Sequence, residues 1–552
     1  MDRIVILDFG SQTTALIGRR IRELGIYAEI LPGDATLSDE DLAGVHGIIL
    51  SGSPQSVYDG GAQVDQRIYQ CGLPLLGICY GLQRMTVDLG GRVEALAKRE
   101  AGGIEVTIGL KSPSILKKPN WDAMNFFSGF LLRDDLSLWN IFTGNKCISS
   151  FNAWMSHGDT LVELAPGFVE AGSSANGYPA IVYHREKPWF GLQFHPEVSH
   201  CELGNAILAS FVTGVCRCPA VWNMKDYLDK TVAALQTAAA DKTILLLISG
   251  GVDSTVAAAL LLRALPPEQL HLMYLDTGLM RKDETIEVRQ ILKSLGARHI
   301  HIVHCADEFF AALAGLTAPE EKRTAIGDLF IRIQEREVEK LNLPGDYLLV
   351  QGTLYTDLIE SGKGVGKKAR LIKSHHNVGS PLVEAKRAVG KILEPLDKLY
   401  KDEVRALGRL LGIDEAVVGR HPFPGPGLAV RILGEVTAEK CATLREADAL
   451  FISELKARQN PLTGKCLYDE IWQAFAVLLP LRSVGVAGDE RRYGWVLALR
   501  AVTSTDGMTA DVYPFNAKDI IEISTLITNT VQEIGRITFD ISSKPPATIE
   551  WE

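Results

Sequence analysis

Residues 243–254 read Thr243-Ile-Leu-Leu-Leu-Ile-Ser-Gly-Gly-Val-Asp-Ser254, an apolar run that breaks into a short glycine-rich loop. A second apolar-rich segment, Thr255–Leu265, follows directly. This pattern predicts a buried strand, a tight turn and the start of a helix. Backbone N–H groups at a helix start, together with the positive end of the helix dipole, attract phosphate oxygens. The stretch therefore predicts a phosphate-binding loop at the end of a buried strand.

The loop differs from the Walker type because no Gly-Lys-Ser/Thr closes it. It resembles the pyrophosphate loop of enzymes that split ATP into AMP and pyrophosphate. An ordinary strand-to-helix turn is the alternative interpretation. If the resemblance holds, the ATP-binding residues are Ser249, Gly250, Gly251, Val252, Asp253 and Ser254.

The composition is that of a globular protein with several domains. At 552 residues the chain is too long for one hydrophobic core, and its length predicts about three or four domains. Hydrophobic residues make up 46% and charged residues 22% of the chain, which excludes the disordered and fibrous classes. The formal net charge of −10 argues against nucleic acid as the main partner.

The cysteines and the first residues indicate the cellular compartment of the protein. Nine cysteines are scattered along the chain, with no Cys-x-x-Cys pair and no zinc-type spacing. Such a sparse, odd-numbered set of thiols fits a reducing compartment. The chain begins with a strand-like segment rather than a secretory signal, and no apolar run approaches the roughly 18 residues that span a bilayer. We therefore expect a cytoplasmic protein with no membrane partner.

Short apolar runs alternate with longer mixed segments through the first two thirds of the chain. Runs at this spacing predict buried strands of parallel sheets that are separated by helices. The predicted strands are Ile4–Leu7, Gly47–Leu50, Leu73–Ile78, Phe190–Phe194, Ile244–Ile248, Leu270–Leu275 and Tyr347–Val350. The fold class that this pattern predicts is α/β, with two doubly wound α/β domains whose sheets are mainly parallel.

Two segments look like domain boundaries. The stretch 215–224 lies between the two α/β patterns, and 421–427 reads His-Pro-Phe-Pro-Gly-Pro-Gly, which cannot continue a helix. After it the pattern changes to a long helix-like run, Thr437–Lys456, and strand-like segments at Val496–Val502 and Ile537–Ile541. The chain therefore divides into predicted domains 1–215, 216–420 and 421–552, and the last of these is a smaller α+β domain.

A first chemical site is predicted where Leu73–Ile78 meets Gly77-Ile-Cys79-Tyr-Gly81. Small residues on both sides of Cys79 allow a sharp turn that presents the side chain above a sheet, and a helix start stabilises a thiolate. A small buried core residue is the alternative interpretation of this cysteine. The segment Gly191-Leu-Gln-Phe-His195-Pro-Glu197 favours catalysis, because a strand there ends in an imidazole with a carboxylate within reach.

Backbone donors for an oxyanion are expected next to this cysteine. Gly52 follows another buried strand, and Tyr80 begins the predicted helix, so their N–H groups are the candidate donors. Together these segments resemble the class I glutamine amidotransferases over residues 1–215. The resemblance implies that Cys79 attacks the glutamine amide, that His195 transfers protons and that Glu197 holds the imidazole.

Further segments resemble one family, the glutamine-hydrolysing GMP synthases, over nearly the whole chain. They are Leu275–Arg281, Glu321–Arg323, Gln351–Tyr355, Ile372–Gly379, His421–Gly427 and Ser543–Glu552. The resemblance implies an ATP-pyrophosphatase domain of adenine-nucleotide α-hydrolase-like fold at 216–420. It also implies a dimerisation and XMP-binding domain at 421–552, and hence a homodimer.

The resemblance also implies binding residues for the purine substrate and for the metal ion. For XMP these are Arg323 and Lys544, as phosphate partners, and Glu550, as an acceptor from ribose hydroxyls. The hard oxygen ligands expected for Mg²⁺ on ATP are Asp253, Asp357 and Glu360. A lid over the nucleotide is expected from Lys373, His375 and His376. No tightly bound organic cofactor is expected.

The sequence thus predicts a bifunctional ligase of guanine nucleotide biosynthesis that uses glutamine, ATP and XMP. One alternative is an amidotransferase that adenylates a different acceptor. A second is an RNA-modifying enzyme with the same loop, which predicts a catalytic cysteine pair and a basic surface. A third is a non-catalytic regulatory protein on the same scaffold, against which Cys79, His195, Glu197 and Asp253 argue.

Overall fold

The computed structural model describes residues 1–60, 62–109, 125–128, 149–360, 381–487, 490–504, 509–544 and 546–552. The chain divides into two compact units, one of Met1–Asp226 with Thr356–Ser374 and one of Tyr227–Tyr355 with His375–Glu552. The predicted domain boundaries, 1–215, 216–420 and 421–552, stay predictions beside this division. Within the described ranges, no helix combines the length and the apolar character that crossing a membrane requires.

The first unit is built on a nine-stranded mixed sheet with the strand order β2-β1-β3-β4-β9-β8-β7-β5-β6. Its strands are β1 (Arg3–Asp8), β2 (Ala28–Pro32), β3 (Val45–Leu50), β4 (Leu75–Ile78), β5 (Arg92–Ile108), β6 (Ser149–Glu163), β7 (Phe168–Ser174), β8 (Pro179–His184) and β9 (Trp189–Leu192). The strands β2, β1, β3, β4 and β9 are parallel. The remaining pairs are antiparallel.

The second unit contains a five-stranded parallel sheet with the order β12-β11-β10-β13-β14. Its strands are β10 (Ile244–Ile248), β11 (Leu270–Asp276), β12 (His299–His304), β13 (Leu348–Val350) and β14 (Ile392–Leu393). The three inner strands of this sheet are largely buried, as expected for a parallel sheet with helices on its faces.

A second, smaller sheet belongs to the same unit. Its strands are β15 (Gln473–Ala487), β16 (Glu490–Thr503), β17 (Asp511–Val512) and β18 (Ile534–Phe539). The strand β16 pairs antiparallel with β15 and β17, and parallel with β18. This α+β arrangement confirms the fold class predicted for the end of the chain.

The α-helices of the described residues cover the sheets and connect their parallel strands. In chain order they are α1 (Thr14–Glu23), α2 (Asp39–Leu42), α3 (Tyr80–Asp88), α4 (Gly204–Ala209), α5 (Met224–Ala239), α6 (Val252–Ala264), α7 (Glu284–Ser294), α8 (Ala306–Leu313), α9 (Pro319–Lys340), α10 (Tyr355–Glu360), α11 (Pro381–Ala388), α12 (Lys401–Leu410), α13 (Glu415–Val418), α14 (Ala438–Ala457), α15 (Leu467–Glu470) and α16 (Ala517–Thr530).

The predicted α/β fold is confirmed, with one difference in the first sheet. Every predicted strand of the α/β region corresponds to a strand of the structure, and the predicted helix Thr437–Lys456 is α14 shifted by one residue. The first sheet is mixed rather than mainly parallel, because β5–β8 add antiparallel strands beside β9. In the second unit both sheets share one hydrophobic core, in which Leu245 and Leu349 belong to the same cluster as Leu478 and Leu497.

Candidate active sites

Cys79 lies at the turn between β4 and α3, at the carboxyl end of the parallel part of the first sheet. Its backbone has φ 52° and ψ −108°, which is unusual for a residue with a side chain. Such a conformation costs about 1–3 kcal/mol and persists only where surrounding contacts enforce it. The backbone N–H of Cys79 donates to the Leu192 carbonyl oxygen at 2.7 Å, which ties the turn to β9.

The glycines on both sides of Cys79 are required by close backbone packing. A Cβ atom added at Gly81 would lie 2.2 Å from the Leu50 carbonyl oxygen. A Cβ atom added at Gly77 would lie 2.7 Å from the backbone nitrogen of Leu82. Real Cβ atoms do not approach other atoms so closely, so the sharp turn can form only with glycine at both positions.

His195 and Glu197 follow β9, the sheet neighbour of β4. The His195 Nδ1 atom lies 2.8 Å from Glu197 Oε1, and the Glu197 side chain is completely buried. The Cys79 thiol lies close enough to the His195 ring to raise the pKa of the imidazole. The backbone N–H of His195 donates to the Trp154 carbonyl oxygen at 3.0 Å, which fixes the loop against β6. The three predicted catalytic residues therefore lie together as a Cys-His-Glu arrangement.

The electrostatics of this arrangement favour a charged imidazole. Burial by itself lowers the pKa of His195, but the negative charges of Glu197 and of the Cys79 thiolate act in the opposite direction. Their combined effect raises the pKa of His195 well above its usual value of 6.5. A protonated His195 at neutral pH can stabilise the thiolate and later give its proton to a leaving amine.

The predicted oxyanion donors lie at the same end of the sheet. A Cβ atom added at Gly52 would lie 2.9 Å from His195 Cε1, so the Gly52 backbone borders the His195 imidazole. Tyr80 is the first residue of α3, and the first N–H groups of a helix have no acceptor within it. Ser51, which is fully buried, accepts a hydrogen bond from the Phe9 N–H at 3.1 Å and holds the turn before Gly52.

A second buried histidine, His157, was not predicted; it follows Ser156, whose carbonyl oxygen lies 3.9 Å from Cys79 Sγ. The His157 Nε2 atom lies 2.9 Å from Glu100 Oε2. Burial lowers the pKa of His157. Glu100 also accepts from the Ser174 hydroxyl at 2.8 Å. These contacts lie on β5, β6 and β7 and position the strand that borders the cysteine.

The predicted phosphate loop joins β10 to α6 in the second unit. Gly250 has φ +83°, and a Cβ atom there would lie 3.1 Å from Glu284 Oε1. The Ser254 hydroxyl accepts from the Ser249 N–H at 3.2 Å and donates to the Gly251 carbonyl oxygen at 3.1 Å. The loop therefore closes on itself and presents the start of α6, which begins at Val252.

The carboxylate of Asp253 in this loop is held by a lysine that the sequence did not single out. Lys401 Nζ lies 2.7 Å from Asp253 Oδ1, and the Asp253 side chain is 26% exposed. Lys401 begins α12, directly after the buried Leu399-Tyr400 pair. Its only sequence signal is a lysine at the start of an amphipathic helix, which is too common to indicate a site.

Two of the predicted XMP residues, Glu550 and Arg323, form hydrogen bonds within the second unit. Glu550 receives two hydrogen bonds from Arg431, at 2.8 and 3.1 Å, and one from Gln473 at 2.7 Å. Arg323 Nη2 donates to the Glu552 carbonyl oxygen at 2.6 Å. Its neighbour Lys322, which is completely buried, pairs with the Glu552 carboxylate at 2.6 Å. Arg431 and Lys322 were not predicted from the sequence.

Lys544, the other predicted phosphate partner, is fixed through its backbone. It forms an isolated antiparallel bridge with Ala510, in which each residue donates its N–H to the carbonyl oxygen of the other, at 2.7 and 3.0 Å. The Lys544 side chain is half-buried.

The predicted lid and metal residues are only partly covered by the structure. Lys373, His375 and His376 lie outside the described residues. Asp357 and Glu360 belong to α10, and the side chain of Glu360 lies outside the described part of the chain. Within the described ranges, no group of three or more His, Cys, Asp or Glu side chains could hold a metal ion.

Comparison with known families assigns three segments of the chain. Residues 5–215 match the model for class-I glutamine amidotransferases. Residues 223–326 match the model for asparagine synthase, and residues 460–551 match the GMP synthase C-terminal domain. These three matches cover the Cys79 site, the phosphate loop and the Lys544–Glu550 region respectively.

Full-length relatives decide the family. Proteins named GMP synthase [glutamine-hydrolyzing] from Aquifex aeolicus, Bordetella avium and Chlorobaculum tepidum are each 44% identical to this chain, over 100% of the chain and 99% of the relative. The chain belongs to the glutamine-hydrolysing GMP synthase family. The family resemblance read from the sequence is therefore confirmed, while the roles of individual residues stay predictions.

The packing of Gly81 against Leu50 leads to the first prediction. Gly81→Ala should lower the rate of glutamine hydrolysis by about 100-fold, because the added methyl group forces the Cys79 turn away from β3 by a large fraction of an ångström. The measurement is steady-state glutaminase activity of the full-length protein.

Gly103→Ala is the matched control, since no atom lies within 4 Å of a Cβ added there. This variant should keep wild-type glutaminase activity. If Gly81→Ala is as active as Gly103→Ala, the proposed geometry of the turn is wrong.

The raised pKa of His195 leads to a prediction about pH. Its ion pair with Glu197 should stabilise the fold fully below the usual histidine pKa of 6.5, and this contribution should disappear as the pH rises through the folded-state pKa. Glu197→Gln should therefore lower the free energy of unfolding by roughly 1.5–3 kcal/mol at about pH 6, and by less at about pH 9.

The check is denaturant unfolding of both proteins at the two pH values, with Glu186→Gln, an exposed carboxylate of the same unit, as the control. If the difference in the free energy of unfolding between wild type and Glu197→Gln is constant or grows with pH, Glu197 does not stabilise the protonated form of His195.

Proposed function

We propose that this chain converts XMP to GMP with ATP and with ammonia that it releases from glutamine. The observation that carries the proposal is the presence of two complete chemistries in one chain of this family. One is the buried Cys79-His195-Glu197 arrangement, and the other is the phosphate loop Ser249–Ser254 at the end of a parallel sheet.

The first chemistry is hydrolysis of the glutamine side-chain amide. The Cys79 thiolate attacks the amide carbon, and His195, held by Glu197, gives its proton to the departing ammonia. The N–H groups of Gly52 and Tyr80 stabilise the negative oxygen of the tetrahedral intermediate. Water, deprotonated by His195, then cleaves the glutamyl thioester and restores the thiol.

The second chemistry is adenylation of XMP followed by amination. The loop residues Ser249–Ser254 bind the β- and γ-phosphates through their backbone N–H groups and hydroxyls. These groups lie at the start of α6, where the helix dipole is positive. The O2 atom of XMP attacks the α-phosphorus of ATP, and pyrophosphate leaves. This adenylation converts the ring oxygen, a poor leaving group, into a good one. Ammonia then attacks C2 and displaces AMP.

Magnesium ion is proposed as the companion of ATP. The support for this ion is the Asp253 carboxylate at the phosphate loop, which is paired with the Lys401 ammonium group, a cation in the position proposed for the metal ion. Asp357 and Glu360 are proposed as further ligands. When bound, the ion neutralises part of the negative charge of the ATP phosphates. Lys401 is then available to pair with a phosphate oxygen.

The purine substrate is proposed to bind through Arg323, Lys544 and Glu550. Arg323 and Lys544 supply positive charge for its phosphate. Glu550 is oriented by Arg431 and Gln473, so its carboxylate has a fixed direction from which it can accept from a ribose hydroxyl. Lys373, His375 and His376 are proposed as a lid, and the region 421–552 as the site of homodimer contacts.

The assignment of glutamine hydrolysis and XMP adenylation to separate sites can be tested directly. Cys79→Ala should abolish GMP synthesis from glutamine, by more than about 1000-fold, and leave synthesis from high concentrations of ammonium within about twofold of wild type. Asp253→Asn should abolish GMP synthesis from glutamine and from ammonium alike and leave glutamine hydrolysis intact, because it removes the carboxylate of the ATP loop. Production of GMP, AMP and glutamate is measured separately for each protein.

Parallel loss of both activities in Cys79→Ala would contradict this assignment. If wild-type protein releases AMP with a different acceptor and makes no GMP from XMP, the chain is an adenylating ligase with another substrate.

A further inference from the structure

Arg500 is a fully buried arginine that the proposed chemistry does not use. It lies in β16, opposite Phe475 of β15, on a sheet face with the apolar residues Ala498 and Val502. Removing a guanidinium from water is costly unless its N–H groups find acceptors and its charge is compensated. The acceptors of Arg500 therefore indicate what this residue does.

All of these acceptors belong to one short stretch of chain, the segment 540–552. Arg500 Nε donates to the Ile549 carbonyl oxygen at 2.8 Å, Nη1 to Ser542 at 2.9 Å and Nη2 to Thr548 at 2.9 Å. The charge is balanced by Asp540, whose Oδ2 lies 2.9 Å from Nη1. One side chain thus connects both ends of the segment 540–552 to the middle of the sheet.

The described residues of this segment are held by several other side chains, since Arg431 and Gln473 bind Glu550, and Lys322 and Arg323 bind Glu552. The backbone of the segment forms a single β-bridge, at Lys544, and no strand or helix among its described residues. Ile549 packs into a small apolar cluster on the sheet, and the Trp551 indole N–H donates to Asp540 at 3.0 Å. Because backbone groups without regular structure need other partners, Arg500 fixes the backbone at Ser542, Thr548 and Ile549, on both sides of the bridge at Lys544.

The same segment carries Lys544 and Glu550, the proposed partners of the XMP phosphate and ribose. We infer that Arg500 is a positioning residue for XMP: it holds the segment 540–552 in its binding conformation before the nucleotide arrives. This inference rests on the proposed function of the segment. Ordering in advance removes an entropic cost that would otherwise weaken binding.

Arginine is required for this role by geometry. The guanidinium presents five N–H groups in a fixed plane, and here they reach three carbonyl oxygens and one carboxylate at the same time. A lysine keeps the charge but offers three N–H groups at one point, so it cannot bridge the two ends of the segment. Arg500→Lys is therefore the informative variant.

The experiment uses the full-length protein with Arg500→Lys, and with Arg536→Lys as the control, since Arg536 is an exposed arginine on the neighbouring β18. Two quantities are measured: steady-state constants for XMP, ATP and glutamine, and amide hydrogen exchange of the segment 540–552. Arg500→Lys should raise the KM for XMP at least about 10-fold and leave the KM for ATP and the glutaminase rate within about twofold.

Hydrogen exchange distinguishes a loss of order in the segment 540–552 from a general loss of structure in the sheet. In Arg500→Lys the amides of segment 540–552 should exchange at least about 10-fold faster, while those of β15 and β16 stay protected. Saturating XMP should restore much of the protection. The control Arg536→Lys should match wild type in both measurements.

A KM for XMP that is unchanged in Arg500→Lys, or that rises without faster exchange in the segment, overturns the inference. Loss of protection throughout β15 and β16 overturns it as well. If Arg500→Lys does not fold, Asp540→Asn, which removes only the charge partner, should raise the KM for XMP in the same direction by a smaller factor. An unchanged KM in Asp540→Asn contradicts the inference. Wild-type protein that makes no GMP overturns the proposed function, and with it this role of Arg500.

Discussion

Parallel pairing of neighbouring strands is the constraint on which both sites depend. In the first unit β4 and β9 are adjacent although more than a hundred residues separate them in sequence, so Cys79 and His195 emerge at the same edge of the sheet. In the second unit β10 lies between β11 and β13, and the phosphate loop follows its carboxyl end. Loops at the carboxyl ends of adjacent parallel strands meet, which is why open α/β sheets bind ligands there.

The parts that the sequence predicted are those determined by local chemistry. Glycines around Cys79 are visible because a sharp turn with close backbone contacts tolerates little else, and Gly250 of the phosphate loop is visible because its φ is positive. Buried strands are visible because both faces of a parallel sheet are apolar. His195 and Glu197 could be paired with Cys79 because each motif ends a predicted strand, and adjacent strand ends supply the residues of a triad.

The parts that the sequence did not predict depend on contacts between distant residues. Lys401, Arg431 and Arg500 are ordinary charged residues in the sequence, and their significance appears only when their partners Asp253, Glu550 and the segment 540–552 are known. The antiparallel strands β5–β8 were not predicted. Polar and apolar residues are interspersed in β7, so it lacks the continuous apolar run that marks a buried strand, whereas β8 has such a run, Ala180–Tyr183, which was not recognised. Long-range pairing, rather than residue type, defines these features.

We propose that ATP is cleaved between its α- and β-phosphorus atoms by the O2 atom of the purine. The direct measurement is the fate of an ¹⁸O label placed at O2 of XMP during one round of synthesis with ATP and glutamine. The label should be recovered in the phosphate of AMP, because that oxygen forms the new bond to the α-phosphorus and leaves with it. Label found in inorganic phosphate or pyrophosphate, or released into water, would contradict this order of bond formation and cleavage.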